Sequence, residues 1–424
     1  MRKKAFISIL MLFLLFAVPA GSYALTGAGS DISSQLSAGE FDDALSSVET
    51  VSVRINGVSP LFTYAPILSN DSTLIPVRAV MEHLGCTVGW EDATQTVTVI
   101  GMGKNIAMKI GSNEIKVNGT VKSIPAPAEL IGEVTYVPLR AVSEALGAVV
   151  GWDDNTQTAG IYTYETTHSL SVGSYTVTVG QTVDALFAAC GQPSYSIWGE
   201  NGLIWHVYTQ NPATFFTAAA DGGIVCGYYT NAPGFSTSDG LAYGAAAPED
   251  GKQYELTKNG HMNVHRYYDG FDKILCSVYV VADGYYNTHD INASLHAQSR
   301  LGLDILNSFR AANLLGTLAW DDAAAVCAAD HARYMASVGE LTHTGADGSS
   351  AIQRYLLYNP TFKWTAWGEN ICAGAKNIFT CMNGWRNSLQ HRTIMLSDKA
   401  YAGIGMVYSP DCAFDYSAVM LLLK

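Results

Sequence analysis

Charge is scarce in this sequence, and positive charge scarcer. Only 14% of the 424 residues are Asp, Glu, Lys or Arg, and 37 acids against 24 bases leave a formal net charge of -13. A surface of that sign repels phosphate backbones, so nucleic acid is excluded as the expected partner. Cysteine is sparse as well. Eight residues without a single Cys-x-x-Cys pair indicate neither a disulfide-framed small fold nor a zinc ribbon. An exported chain can still pair some of them, and their spacing assigns no pairs. Cys327, set among alanines, reads as a small core residue. There is no His-Glu-x-x-His block, the helix-borne signature of zinc proteases. Apolar runs suited to a bilayer are also lacking. Ala5 to Val18 is too short to be a good span, and the final run Ala418 to Leu423 is shorter still and reads as a strand.

What is present is apolar material for packed cores, at 48% of residues, in a chain long enough for two to four domains. The N-terminus carries an export signal: basic Met1-Arg2-Lys3-Lys4, the apolar stretch Ala5 to Val18, and small residues Ser22 and Ala24 at the -3 and -1 positions of a cleavage site. Residues 1–24 are therefore expected to be a signal peptide, with no transmembrane anchor left after cleavage. No Cys follows closely, so lipid attachment is not indicated. Residues 25–48, rich in Ser, Gly, Ala and Asp, are expected to form a flexible linker.

Residues 49–163 contain an internal repeat. The first copy runs Leu74-Ile75-Pro76-Val77-Arg78-Ala79-Val80, Leu84-Gly85, Gly89-Trp90; the second runs Tyr136-Val137-Pro138-Leu139-Arg140-Ala141-Val142, Leu146-Gly147, Gly151-Trp152. In each, a Pro opens a short helix, the Gly stops it, and a Trp-led hairpin follows. The expected unit is a repeated helix-hairpin. The segment resembles the stalk domain named after the N-terminal domain of copper amine oxidases. That name does not imply copper chemistry, because His83 is the only imidazole in the segment. A spacer or wall-facing adhesion module is the reading that follows.

Residues 164–288 alternate Thr, Val and Tyr as strands do. With Val179-Gly180-Gln181-Thr182, Cys190-Gly191-Gln192-Pro193 and Leu203-Ile204-Trp205-His206-Val207-Tyr208, they resemble the CAP-associated domain that precedes CAP domains in some Gram-positive secreted proteins. His261 and His265 have a helical ligand spacing, yet they lie in strand-like sequence, where that spacing does not bring side chains together.

Residues 295–424 alternate helices and strands. Leu301, Ile305, Phe309 and Ala312 mark the apolar face of one helix. Asp321 is placed to cap a second, with Ala324, Cys327, Ala328 and Met335 inward and His331 on the same side as a core or boundary residue. The blocks Asn307 to Asn313, Leu318-Ala319-Trp320-Asp321, Leu341-Thr342-His343-Thr344, Gly368-Glu369-Asn370-Ile371, Gly384-Trp385-Arg386-Asn387-Ser388 and His391-Arg392-Thr393-Ile394 occur in that order. Together they resemble the bacterial CAP superfamily, related to plant pathogenesis-related and animal cysteine-rich secretory proteins. The ordered set carries the resemblance; Trp367-Gly368-Glu369-Asn370 alone has an upstream decoy, Trp198-Gly199-Glu200-Asn201.

The resemblance implies a C-terminal α-β-α sandwich and a central cleft lined by His343, Glu369 and His391. Ser388 stands where the eukaryotic pattern has a second Glu, as is usual in bacterial members. Two imidazoles and a carboxylate match the ligand set of catalytic zinc sites, so His343, Glu369 and His391 are the candidate ligands of a divalent metal such as zinc. A neutral imidazole beside a carboxylate also suits acid–base work, and the same groups can hydrogen-bond each other and fix the loops. Ser388 has no accompanying oxyanion-hole signature to make it a nucleophile. The expected whole is a multidomain α+β protein, secreted and with the cell wall as one destination. Its partner is expected to be an envelope component or extracellular ligand. Three functions remain open: a ligand- or metal-binding module, a metal-dependent hydrolase of peptidase type, and a wall-associated adhesin or spacer.

Overall fold

The two repeats fold alike down to their side-chain bonds. In the computed structural model, which describes residues 51–69, 71–199, 202–285 and 291–424 (backbone only at 291–293), the helices α1 (Val77–His83) and α2 (Leu139–Leu146) each follow a proline. Each is ended by a glycine of positive φ, Gly85 at 75° and Gly147 at 96°. Arg78 donates to the Val88 carbonyl at 3.4 Å and Arg140 to that of Val150 at 2.9 Å. The indole of Trp90 reaches Asp92, and that of Trp152 reaches Asp154. The signal peptide expected at 1–24, the linker expected at 25–48 and half of the Trp198 to Asn201 decoy lie outside the described residues.

The expected helix-hairpin stalk is corrected to a mostly stranded region. The two helices have only seven and eight residues, and the Thr- and Val-rich stretches around them pair into three sheets. One of these joins the repeats. Strand Ser72–Pro76 runs antiparallel to Val134–Pro138, with Ile75 opposite Val137, Leu74 opposite Pro138 and Pro76 opposite Tyr136. The Leu74–Pro138 pair thus maps onto the Tyr136–Pro76 pair about a pseudo-two-fold axis through the Ile75–Val137 pair.

Downstream, α3 (Val183–Cys190) accompanies a seven-stranded antiparallel sheet. The last domain contains α4 (Ile291–Ala312), α5 (Asp322–Val338), α6 (Ala351–Tyr358), α7 (Ile378–Arg386) and α8 (Leu389–Leu396) around four strands, ordered 319–320, 401–408, 416–423, 367–373. Period-two alternation assigns the layers. Ile404 lies against Gly302 of α4, and the Ser299 hydroxyl of α4 accepts from the Met406 amide. Gly403 and Gly405 point the opposite way, onto α5. A Cβ on either would sit 2.2 Å from the Ala325 nitrogen or 2.1 Å from that of Ala329. Helices therefore cover both faces of the sheet. Asp321 caps α5 by accepting from the Ala324 amide at 2.7 Å, and Ala324, Cys327, Ala328 and Met335 are buried, as their spacing predicts.

The seven-stranded sheet and the last domain share one apolar core. Phe379 of α7 stacks on Tyr229 at 4.1 Å and lies 5.4 Å from Trp205 and 5.1 Å from Tyr279. Arg392 of α8 pairs with Asp269 at 2.5 Å and Asp272 at 3.1 Å, and Asn387 accepts from the Gly270 amide at 2.6 Å. A disulfide between Cys372 and Cys381 ties the strand 367–373 to α7. Among the described residues no helix is long and apolar enough to cross a membrane.

Two histidines of the middle sheet are held neutral. His206 takes a hydrogen bond with Ser196 and His265 one with Tyr254, and burial lowers each from 6.5 to about 4. His261, by contrast, stacks on Tyr164, so the two spaced histidines serve different contacts. Between pH 6.5 and 4 the unfolded chain binds protons that the folded chain refuses, so stability falls as pH falls through that window. Urea unfolding at pH 7, 6.5 and 5 is expected to show a declining midpoint already above the range of ordinary carboxylates. Replacing His206 and His265 by Asn should flatten that decline.

Candidate functional site

The cleft straddles the edge of the last sheet. Strand Trp367–Ala373 pairs with 416–423 on one side only, and its alternating side chains go to opposite layers. Gly368 and Asn370 face α8: a Cβ on Gly368 would lie 2.7 Å from Ile394, and the Asn370 amide donates to the His391 carbonyl at 3.2 Å. Glu369 faces the other way, toward α5 and α6. Its side chain is only 3% exposed, a costly place for a carboxylate without a positive partner.

That partner is Arg354 on α6. Its guanidinium donates to Glu369 Oε2 at 2.6 Å and, through Nη1, to the carbonyls of His343 and Ser349, both at 2.9 Å. One side chain thereby neutralises the buried acid and fixes the loop that carries His343. The start of α6 is held by Gln353, whose side-chain oxygen accepts from the amide and hydroxyl of Ser350. His331 of α5 steadies the same loop from behind, bonding the Thr342 carbonyl through Nε2 at 2.7 Å. A carbonyl can only accept, so that nitrogen carries the proton. Burial lowers the pKa of His331, which keeps the ring neutral.

His343 then has a defined orientation. Its Nδ1 lies 2.9 Å from Glu369 Oε1, and a carboxylate accepts, so Nδ1 is the protonated nitrogen. Nε2 is the nitrogen not engaged by Glu369, on a side chain that is 59% exposed. His391, on α8 across the strand, is half-buried. Its pKa is lowered first by that burial and then by the repulsion of a charge on His343. The structure therefore brings His343 into direct contact with Glu369 and sets His391 within electrostatic reach of His343. Ser388 precedes α8 at its N-cap, and its hydroxyl makes no capping bond. No hydrogen bond links it to the other three among the described residues.

A metal here is constrained by the donors. Both Glu369 oxygens are occupied, by Arg354 and by His343, and among the described residues no three His, Cys, Asp or Glu side chains gather as a metal-holding group. The two imidazoles suit a metal, and Glu369 meets any metal with one hydrogen bond already on each of its oxygens.

Sequence reasoning missed Arg354. Its signal was a charge on the apolar stripe of α6, beside Ala351, Ile352 and Tyr355, all buried; that position demands a buried anion. Replacing Arg354 by Met should leave the buried Glu369 without its guanidinium partner, at a cost of about 3–5 kcal/mol in urea unfolding. Adding Glu369→Gln to that variant should recover most of the loss.

Residues 303–422 match the family model described as the cysteine-rich secretory protein family, and residues 54–184 match the copper amine oxidase N-terminal domain. Among solved structures, an extracellular protein containing an SCP domain from Bacillus anthracis has 19% identity and a TM-score of 0.48, covering 58% of this chain and 94% of its own. A cysteine-rich secretory protein from Staphylococcus aureus has 20% identity and a TM-score of 0.42 over the same shares. An outer surface protein from Borrelia burgdorferi has 21% identity and a TM-score of 0.28, over 30% of this chain and 92% of that one. No curated protein matches the chain. Residues 303–422 are thus a CAP domain of the cysteine-rich secretory protein family, in a chain that carries a copper amine oxidase N-terminal domain at 54–184.

Proposed function

We propose that the chain is an extracellular binding module whose CAP cleft takes a divalent metal between His343 and His391, and a ligand of the cell envelope or its surroundings through that metal. The observation that carries this reading is the pinned imidazole. His343 is oriented through Nδ1 by a buried carboxylate, which leaves Nε2 unengaged by Glu369 on a largely exposed side chain. An outer carboxylate that fixes tautomer and direction is the usual support of a metal-binding histidine. Glu369 is then a positioning residue, and Arg354 positions Glu369. When bound, the metal would supply an electrophilic point for an anionic or carbonyl group of the ligand, with Ser388, at the N-cap of the helix that bears His391, assigned to the approach.

Hydrolysis is the weaker reading. Catalytic zinc sites have three protein ligands and an open position for water, and the arrangement offers two imidazoles, with the nearest carboxylate already held by Arg354. An extracellular location is supported by the N-terminal leader, by the disulfide Cys372–Cys381 and by the Bacillus anthracis relative, which is described as extracellular. Attachment to the wall, as spacer or adhesin, would fall to the repeat region.

Calorimetric titration of zinc into the full chain tests the proposal. One binding site is expected, lost in the His343→Ala, His391→Ala double variant. Glu369→Gln should weaken binding by about 10–100-fold without abolishing it. A wild-type chain that takes up no zinc, or a double variant that binds as well as the wild type, overturns the metal reading.

A further inference from the structure

The helix that carries His391 has little apolar packing to hold it. Of the eight residues of α8 only Met395 is buried. Its N-cap residue, Ser388, makes no capping bond, so the start of the helix lacks its own side-chain cap. Polar anchors set its place instead, and they come from two domains. Within the CAP domain, Arg310 of α4 donates to the Met395 and Ser397 carbonyls at the far end, both at 2.8 Å. Asn370 holds the His391 carbonyl at 3.2 Å.

The N-terminal half, where His391 sits, is gripped by the middle domain. There the strand Met262–Asp269 turns into Ile274–Ala282. Asn387 meets the turn twice, donating to the Tyr268 carbonyl at 3.0 Å and accepting from the Gly270 amide at 2.6 Å. Arg392 sets its guanidinium on Asp269 at 2.5 Å and Asp272 at 3.1 Å, over the rings of Phe271 and Phe309 at 5.2 and 5.1 Å. Asp269 is buried, and its other oxygen accepts from the Phe271 and Asp272 amides at 3.0 and 3.1 Å. One carboxylate thus shapes the turn and holds the helix. Removing one member of a buried ion pair is strongly destabilising, so turn and helix keep one register. Asn387 and Arg392 bracket His391 in the sequence, and both end on the same five residues of the other domain. The bonds that hold His343 come from Glu369 and Arg354, both of the CAP domain.

We infer, resting on the reading of His343 and His391 as a metal-binding pair, that Asp269 is a positioning residue for His391 and that metal binding is coupled to docking of the middle domain. A metal that joins the two imidazoles ties a histidine held by one domain to a histidine held by two. Such coupling is reciprocal: loosening the turn lowers metal affinity, and metal tightens the turn.

Zinc titration of the full chain and labelling without metal test the two parts separately. Asp269→Asn keeps an oxygen for the Phe271 and Asp272 amides and removes the charge that faces Arg392. It should weaken zinc binding about fivefold or more. Asn387→Ala, which leaves the ion pair in place, should weaken it in the same direction. Without zinc, carbethoxylation by diethyl pyrocarbonate, read at each histidine by mass spectrometry, should rise at His391 in both variants and stay unchanged at His343. In the wild type, zinc should slow hydrogen exchange at the Gly270, Phe271 and Asp272 amides, and it should not do so in His391→Ala. Wild-type zinc affinity in both variants, or exchange in the turn that zinc leaves alone, overturns the coupling. Unchanged labelling of His391, or a rise at both histidines in both variants, overturns the positioning role. A wild-type chain that takes up no zinc removes the metal reading and the coupling with it, and the labelling then decides the role of Asp269 by itself.

Discussion

A carboxylate removed from water must be met by positive charge or lose its own, and Glu369 is removed almost completely. Arg354 answers it, and the geometry of the cleft follows from that pair. Because the guanidinium has donors to spare, it also grips the His343 and Ser349 carbonyls, so the loop cannot drift without breaking bonds to a buried ion. Because the second carboxylate oxygen faces His343, the imidazole keeps one tautomer. The exposed imidazole is the visible end of a chain of constraints that begins inside the domain. Little of that chain is chemistry in its own right; most of it is the physics of hiding an ion.

Several residues in the family-like blocks have work unrelated to the cleft. Trp385 is buried and donates to the Ile371 carbonyl. Asn387 and Arg392 reach across to the middle sheet. The helix that bears His391 is therefore anchored by its very next residue to another domain. The cleft wall on that side belongs mechanically to two domains, and the wall on the His343 side to one.

The sequence carried some of this plainly and some not at all. Asp321 as a helix cap, the inward face of α5 and the apolar face of α4 were readable because capping and 3.6-residue periodicity are local. The duplicated Pro, Gly and Trp positions showed that two units were alike, yet their helices proved short. Pairing between distant strands, such as Ile75 with Val137, decides the architecture and leaves no local mark. In the cleft, His343, Glu369 and His391 came from the resemblance alone. Arg354 has no motif, and its partnership with Glu369 exists only once α6 packs on the sheet. The bonds that Arg354 and His343 make to the two oxygens of Glu369 could not be read from the chain, because residue type says nothing about which oxygens are engaged.

The Ile75–Val137 axis has a further meaning. Equivalent surfaces meeting about a two-fold is the arrangement of a symmetric dimer, here closed within one polypeptide. A lone unit would present the 72–76 strand with an unpaired edge, the natural remedy being a second unit of its kind. Duplication and fusion turn that concentration-dependent encounter into a folding step, and they release the two halves to diverge. One half now supports its neighbour domain, where the Gly222–Gly223 turn lies against the backbone of Gly151 and Trp152, and in the other half Thr98 takes the place of Gly160 and its hydroxyl lies over Gly89.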